Sequence, residues 1–302
     1  MDSIGLLESR IKQLKIQGAT DIALAVLSAV DLVAENKTRK DDENIGRYLY
    51  RQISRLAYAR PTEPLAQNAL RFILDNKNDT LKNYLVKKSQ YEYLIKDSKY
   101  KMSVSGASLI ENGATYLTHC HSSTVVSMFI HAGKKGKQFS VIVPETRPKF
   151  QGRITASQLL SNGLSEIYMI IDDVAASVIL DDSQKVTAVF IGCDLLSEKG
   201  FVNKVGSLGI VYCANEKKIP VYCLSLLLKY DPQPYTLSLI EKRNSSEIWS
   251  DAPRELKFIT PAFDFIPYYE NVTVISEAGS IKGSEVKQAA RTLYPFLFKD
   301  KG

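Results

Sequence analysis

Val186-Thr187-Ala188-Val189-Phe190-Ile191-Gly192-Cys193-Asp194 is a short apolar, β-branched run that ends abruptly on a glycine, a thiol and an acid. Its length and composition predict a strand, and comparable runs recur at 115–118, 139–143, 167–171, 221–224 and 272–275. Between them lie stretches of helical length at 122–133, 153–162, 173–180, 204–216 and 284–294. Strands alternating with helices predict a Rossmann-like, mostly parallel sheet with helices on both faces. Such sheets take ligands beyond the carboxyl ends of their strands, which is where Asp194 falls.

Upstream the rhythm is helical. Ile22, Ala23, Val26, Leu27, Val30 and Val33 recur at three- and four-residue intervals, with Thr20 or Asp21 placed to cap them. A second amphipathic stretch carries Ile45, Leu49, Ile53 and Leu56 and stops near Arg60-Pro61, because proline disfavours the helical conformation in the residue before it. Further helical runs cover about 63–75 and 78–97, and the lysine- and tyrosine-rich segment 96–101 marks the expected boundary. The fold class read from the sequence is therefore α/β, with an N-terminal helical domain over 1–100 and a Rossmann-like α/β catalytic domain over 101–302.

The whole composition agrees with a folded chain. Of 302 residues, 45% are hydrophobic and 24% charged, with 16 glycines and 11 prolines, which excludes disorder and collagen-like repeats. The 39 basic and 33 acidic residues give a net charge of +6 and are interspersed, so a nucleic-acid partner gains no support. Cys120, Cys193, Cys213 and Cys223 show no C-x-x-C spacing, and the start Met1-Asp2-Ser3 has an acid where a signal peptide carries positive charge. No stretch reaches the roughly 18 apolar residues of a bilayer span. Free thiols in a cytoplasmic protein without a membrane partner are the expectation.

Two strand ends carry chemistry. Thr118-His119-Cys120-His121-Ser122-Ser123 follows the first predicted strand, and if it is extended, His119 and His121 point one way and Cys120 the other. Cys120 is read either as a small buried hydrophobe or as a reactive group awaiting a partner. Two histidines are too few for a metal, and no metal is assigned. Asp194 lies on the same sheet edge as Cys120, where desolvation can keep a carboxyl protonated for general-acid work. After Gly200, the run Phe201-Val202-Asn203-Lys204-Val205-Gly206-Ser207 opens a predicted helix whose N–H groups and Lys204 could meet an anion. It lacks the P-loop order, as does Gly133-Lys134-Lys135-Gly136-Lys137. Arg147 and Arg153 after the second strand, with Arg60 and Lys229, are single cations near element ends.

Taken in order, Thr118-His119-Cys120-His121-Ser122, Glu145-Thr146-Arg147-Pro148 with Gln151-Gly152, Gly192-Cys193-Asp194, and Asn203-Lys204 with Gly206 resemble a known family. It is the one uniting the α, β and δ subunits of translation initiation factor 2B with ribose-1,5-bisphosphate and 5-methylthioribose-1-phosphate isomerases. The resemblance covers nearly the whole chain. It is nearest the archaeal ribose-1,5-bisphosphate isomerases, through these strings and Ala59-Arg60-Pro61-Thr62; the methylthioribose enzymes usually have asparagine in place of His121.

The resemblance implies an isomerase converting ribose 1,5-bisphosphate to ribulose 1,5-bisphosphate, with Cys120 as the base at C2 and Asp194 as the acid serving the sugar oxygens. It further implies substrate contacts from Gln17, Gly18, Ala19, Arg60, Arg147, Gln151, Asn203, Lys204 and Lys229. It also implies a homo-oligomer, either a dimer or a trimer of dimers. No cofactor is called for, since proton transfer needs only an acid and a base. The alternatives are a non-catalytic initiation-factor-type subunit, with an initiation factor as partner, or a methylthioribose-type isomerase. Gln17 stands where the isomerases carry arginine, and loss of such a charge-assisted phosphate contact costs about 1–3 kcal/mol. Ala278 likewise stands where relatives more often carry a basic residue.

Overall fold

The computed structural model describes residues 3–35, 45–60, 62–233 and 240–299. Five helices come first: α1 (Ser3–Lys12), α2 (Ala19–Glu35), α3 (Ile45–Ala57), α4 (Pro64–Ile73) and α5 (Leu81–Ser108). The apolar stripe of α2 is buried as its spacing predicts, and α3 buries Leu49, Ile53 and Leu56. Helix α2 starts two or three residues ahead of where its predicted caps place it. Gly18, at φ 84°, turns the chain and its carbonyl accepts from Ile22 N–H, so Thr20 and Asp21 lie within the first turn. Pro61 lies outside the described residues, as do Met1 and Asp2 of the expected leaderless start.

Helix α5 begins on Thr80, whose hydroxyl accepts from Asn83 N–H at 3.2 Å. Its 28 residues span roughly 40 Å. It packs against α2 and α4 at one end and α6 and the sheet at the other. The expected division at residue 100 thus falls within an unbroken helix, and strands begin only at Thr115.

The rest is β1 (Thr115–His119), α6 (Ser123–Lys134), β2 (Ser140–Pro144), α7 (Gln151–Ser161), β3 (Ile167–Ile170), α8 (Val174–Leu180), β4 (Val186–Ile191), β5 (Leu195–Leu196), β6 (Gly200–Lys204), α9 (Ser207–Glu216), β7 (Val221–Leu224), β8 (Phe263–Pro267), β9 (Val272–Ser276), β10 (Gly279–Lys282) and α10 (Val286–Leu293). A seven-stranded sheet has the order β10-β9-β7-β4-β1-β2-β3, parallel throughout except for β10 at one edge. Side chains alternate between two cores. Val189 and Ile191 of β4 join α8, α9 and α10, whereas Ala188 and Phe190 join α6 and α7. Phe190 sits among Tyr116, Phe129 and Tyr222, with ring centroids 5.0–5.6 Å apart. The first core also holds the buried residues of α2, α3 and α4, so the helical half and one sheet face share an interior. Among the described residues no helix is long and apolar enough to cross a membrane.

Two departures from the sequence reading matter for the site. The segment from Gly200, expected to open a helix, is the wholly buried strand β6, and α9 starts only at Ser207. β6 is the centre of a second, antiparallel sheet, β5-β6-β8, invisible in the strand–helix rhythm.

Candidate active site

β1 is the point from which the sheet grows both ways, to β2 on one side and to β4 on the other. His119 is paired with Ile191 in register, so the residues following each strand, Cys120 and Gly192-Cys193-Asp194, emerge side by side at this switch point. Cys120 does not continue the strand. Its φ is 66°, a left-handed conformation that costs a non-glycine residue about 1–2 kcal/mol. Hydrogen bonds hold it there: Cys120 N–H donates to Thr146 Oγ1 at 3.0 Å, and Thr155 Oγ1 donates to the Cys120 carbonyl at 2.8 Å.

That turn overturns the expected pairing of the two histidines on one face. His119 Nε2 donates to the Val205 carbonyl at 3.0 Å, while His121 Nδ1 meets Thr155 Oγ1 at 3.1 Å, because a left-handed residue breaks the two-residue period. Burial depresses both imidazoles' affinity for a proton. Among the described residues no group of three or more His, Cys, Asp or Glu is arranged to hold a metal.

A cleft of about 930 Å³, counting the part open to solvent, lies over these strand ends. It collects Gln17, Gly18, Ala19, Arg60, Cys120, Gln151, Asp194, Asn203, Lys204 and Lys229, all but one of the site residues expected from sequence. The exception is Arg147. Its guanidinium stacks over Phe150 at 5.1 Å and donates to the Ile248 carbonyl at 3.4 Å, outside the cleft lining. The starts of α2, at Gly18 to Thr20, and of α6, at Ser122 to Thr124, also line the cleft, presenting positive helix ends to it. The start of α9, expected to meet an anion, is instead occupied by the chain's own carboxylate. Asp264 Oδ2 accepts from Gly206 N–H at 2.8 Å and Leu208 N–H at 3.0 Å.

Burial governs the charges here. It pushes the Cys120 thiol up to about 12, against the pull of Lys204 toward the thiolate. It raises Asp194 above the usual carboxylate range, with Lys229, Arg60 and Lys204 opposing. Lys204 itself is lowered by burial, so its ammonium gives up a proton more readily than a surface lysine. The site thus holds a protonated thiol, a carboxyl that resists ionisation and a lysine whose hold on its proton burial weakens.

Sequence reasoning missed Glu63, Lys149 and Arg243 in the lining, and Glu241 behind it. Arg60 NH1 lies 3.1 Å from Glu63 Oε1, and its Nε lies 3.2 Å from Glu241 Oε1. Burial, which opposes the charge on Arg60, is outweighed by these two carboxylates. Thr62 Oγ1 also donates to Glu241 Oε1 at 2.9 Å. Lys149 and Arg243 share Glu247, at 3.2 and 2.6 Å. The R-P-T string signals the arginine but nothing local signals its second partner, Glu241, 181 residues away.

Lys229 is aimed by backbone clamps. Its Nζ donates to the Cys193 carbonyl, next to Asp194. It ends a 3-10 turn, Leu227–Lys229, whose first N–H donates to Glu277 at 3.1 Å. The flanking carbonyls of Leu228 and Tyr230 accept from Asn68 Nδ2 of α4 at 2.8 and 3.0 Å. Asn68 thereby ties the helical half to the lysine.

Gly192 is required by a close approach. A Cβ there would lie 2.6 Å from Ser122 Cβ and 2.7 Å from its Oγ. Gly192→Ala is expected to displace the start of α6 and lower stability by about 1–3 kcal/mol, read as a lower denaturant midpoint at unchanged slope. An unchanged midpoint would show that this contact relaxes freely.

Comparison with known proteins agrees with this architecture. The ribose 1,5-bisphosphate isomerase of Pyrococcus furiosus is 31% identical over 294 residues, covering 90% of this chain and 88% of that protein. A 5-deoxyribose 1-phosphate isomerase of Clostridium botulinum is 30% identical over 299 residues, covering 90% and 84%. The crystal structure of a Pyrococcus horikoshii translation initiation factor eIF-2B superposes with a TM-score of 0.82 at 21% identity, covering 93% of this chain and 98% of that one, a likeness of fold. The family model described as the initiation factor 2 subunit family matches residues 15–283, and the chain belongs to that family.

Proposed function

We propose that the chain is an aldose–ketose isomerase that converts ribose 1,5-bisphosphate to ribulose 1,5-bisphosphate. The observation that carries the reading is the emergence of Cys120 and Asp194 side by side from β1 and β4, beneath Lys204, Lys229 and two helix starts. In this reading Cys120 Sγ, as the thiolate that Lys204 favours, takes the proton from C2 and returns to the thiol. Asp194 gives and takes the proton on the sugar oxygens, a role its raised proton affinity suits. Lys204 favours the thiolate and the developing oxyanion, while Lys229 and the starts of α2 and α6 hold phosphate. The named activities of the relatives support an isomerase of sugar phosphates.

A second reading, an isomerase of a sugar carrying a single phosphate, is favoured by Gln17. Its amide donates to the Leu14 carbonyl at 2.6 Å, and Gln151 Nε2 approaches its oxygen at 3.5 Å, so it brings no charge to the cleft. Ribose 1,5-bisphosphate and 5-deoxyribose 1-phosphate, each incubated with the protein and followed by NMR, separate the two. Formation of ribulose 1,5-bisphosphate, absent with Cys120→Ser, is the expected result. Turnover of the monophosphate alone moves the assignment to the second reading, and turnover of neither by folded protein removes both.

A further inference from the structure

Polar atoms sealed from water almost always have a hydrogen-bond partner, so an exception in a cleft wall asks for one from outside the chain. Two such atoms line this cleft. Glu63 Oε2 and Gln151 Oε1 are both buried, and neither has a partner among the described residues. Glu63 is 1% exposed and its other oxygen is taken by Arg60. Arg60 in turn is shared with Glu241, so its charge is already met by two carboxylates of the chain.

We propose that Glu63 is a specificity-determining residue whose Oε2 hydrogen-bonds a ring hydroxyl of the sugar, and that this end of the cleft reads hydroxyl rather than phosphate. The inference rests on the sugar-phosphate reading above. A furanose ribose 1,5-bisphosphate has two free hydroxyls, at C2 and C3, and the cleft offers two orphaned oxygens, on Glu63 and Gln151. A hydroxyl both donates and accepts, so it satisfies Glu63 whether the carboxyl is ionised or protonated. Burial pushes this carboxyl up to about 8, so both forms are present near neutral pH. A phosphate dianion, an acceptor only, would be repelled by the ionised form. Glu63→Gln preserves a hydrogen-bonding group at the same place, whereas Glu63→Ala removes it and leaves Arg60 paired with Glu241.

The test is calorimetric binding of ribose 1,5-bisphosphate and its 2-deoxy and 3-deoxy counterparts to the unaltered chain, E63Q and E63A. Losing one hydrogen bond to such a group corresponds to a roughly tenfold to hundredfold difference in affinity. The unaltered chain is expected to disfavour both deoxy compounds by about that factor. E63A should lose the discrimination at one of the two positions and keep it at the other, with E63Q restoring most of it. A merely structural role would weaken all three ligands equally. E63A discriminating as well as the unaltered chain at both positions overturns the assignment of Glu63 and leaves the sugar-phosphate reading standing. No binding of any of the three to the unaltered chain overturns both.

Discussion

Cys120→Ser and Asp194→Asn each lower turnover of the sugar phosphate by about 10³-fold or more, while ligand affinity changes by less than roughly fivefold. Proton transfer by a positioned acid or base contributes typically ~10²–10⁴ in rate, and each substitution removes one partner while keeping its shape. The binding cations and helix starts are untouched, so the loss falls on kcat. NMR assay of the sugar phosphates with calorimetry on the same samples separates the two quantities. A variant retaining a tenth of the activity would remove that residue from the chemistry. The thiol adds a dependence on pH. With its proton held up to about 12, only about one thiol in 10⁵ is ionised at pH 7 in the empty site. The thiolate fraction rises with pH, so alkylation of Cys120 by iodoacetamide, followed by mass spectrometry, should accelerate about tenfold per unit from pH 7 to 10. A plateau below pH 9 would mean that Lys204 outweighs burial.

Arg60→Met lowers stability by about 3–5 kcal/mol, the second large effect. Removing one partner of a buried ion pair leaves the other charge desolvated and uncompensated, and here one guanidinium serves both Glu63 and Glu241. The loss is read as a fall in Tm of roughly 5–15 °C. Its sign with pH follows from Glu63. Without the arginine that carboxyl holds its proton still more firmly, and a protonated carboxyl costs little to bury. The deficit should therefore be smaller at pH 6 than at pH 8.5, and Arg60→Met combined with Glu63→Gln should recover part of it. A deficit independent of pH, with no recovery in the double variant, would locate the effect in lost packing instead.

The strands of the parallel sheet were legible because each is short, apolar and followed by a helix of ordinary length. β4 runs over the very residues its composition predicts. Cys120 and Asp194 were legible for the same reason, since a polar group that closes an apolar run must sit at a strand end. The small sheet was not. β5 has two residues, and β6 ends in Asn203-Lys204, which resembles a helix start until its pairing with β8, some 60 residues later in the chain, is known. Positive φ at Cys120 was equally hidden, because it depends on Thr146 and Thr155. Glu63 looked like any polar residue opening a helical run, and only the tertiary structure shows it sealed against Arg60. Arg147 illustrates the converse, a motif residue whose backbone N–H is held by Asp172 while its side chain turns away from the cleft.

The two carboxylates of Arg60 also differ in when they exist. Glu63 is made three residues after the arginine, whereas Glu241 is 181 residues later. At about 5–20 residues per second, that interval is roughly ten to forty seconds of synthesis. A cation that finishes 7% exposed thus has a counter-ion from the outset, long before the distant segment that completes its surroundings leaves the ribosome. The same glutamate that meets the sugar in the finished protein is the arginine's first companion in the growing one.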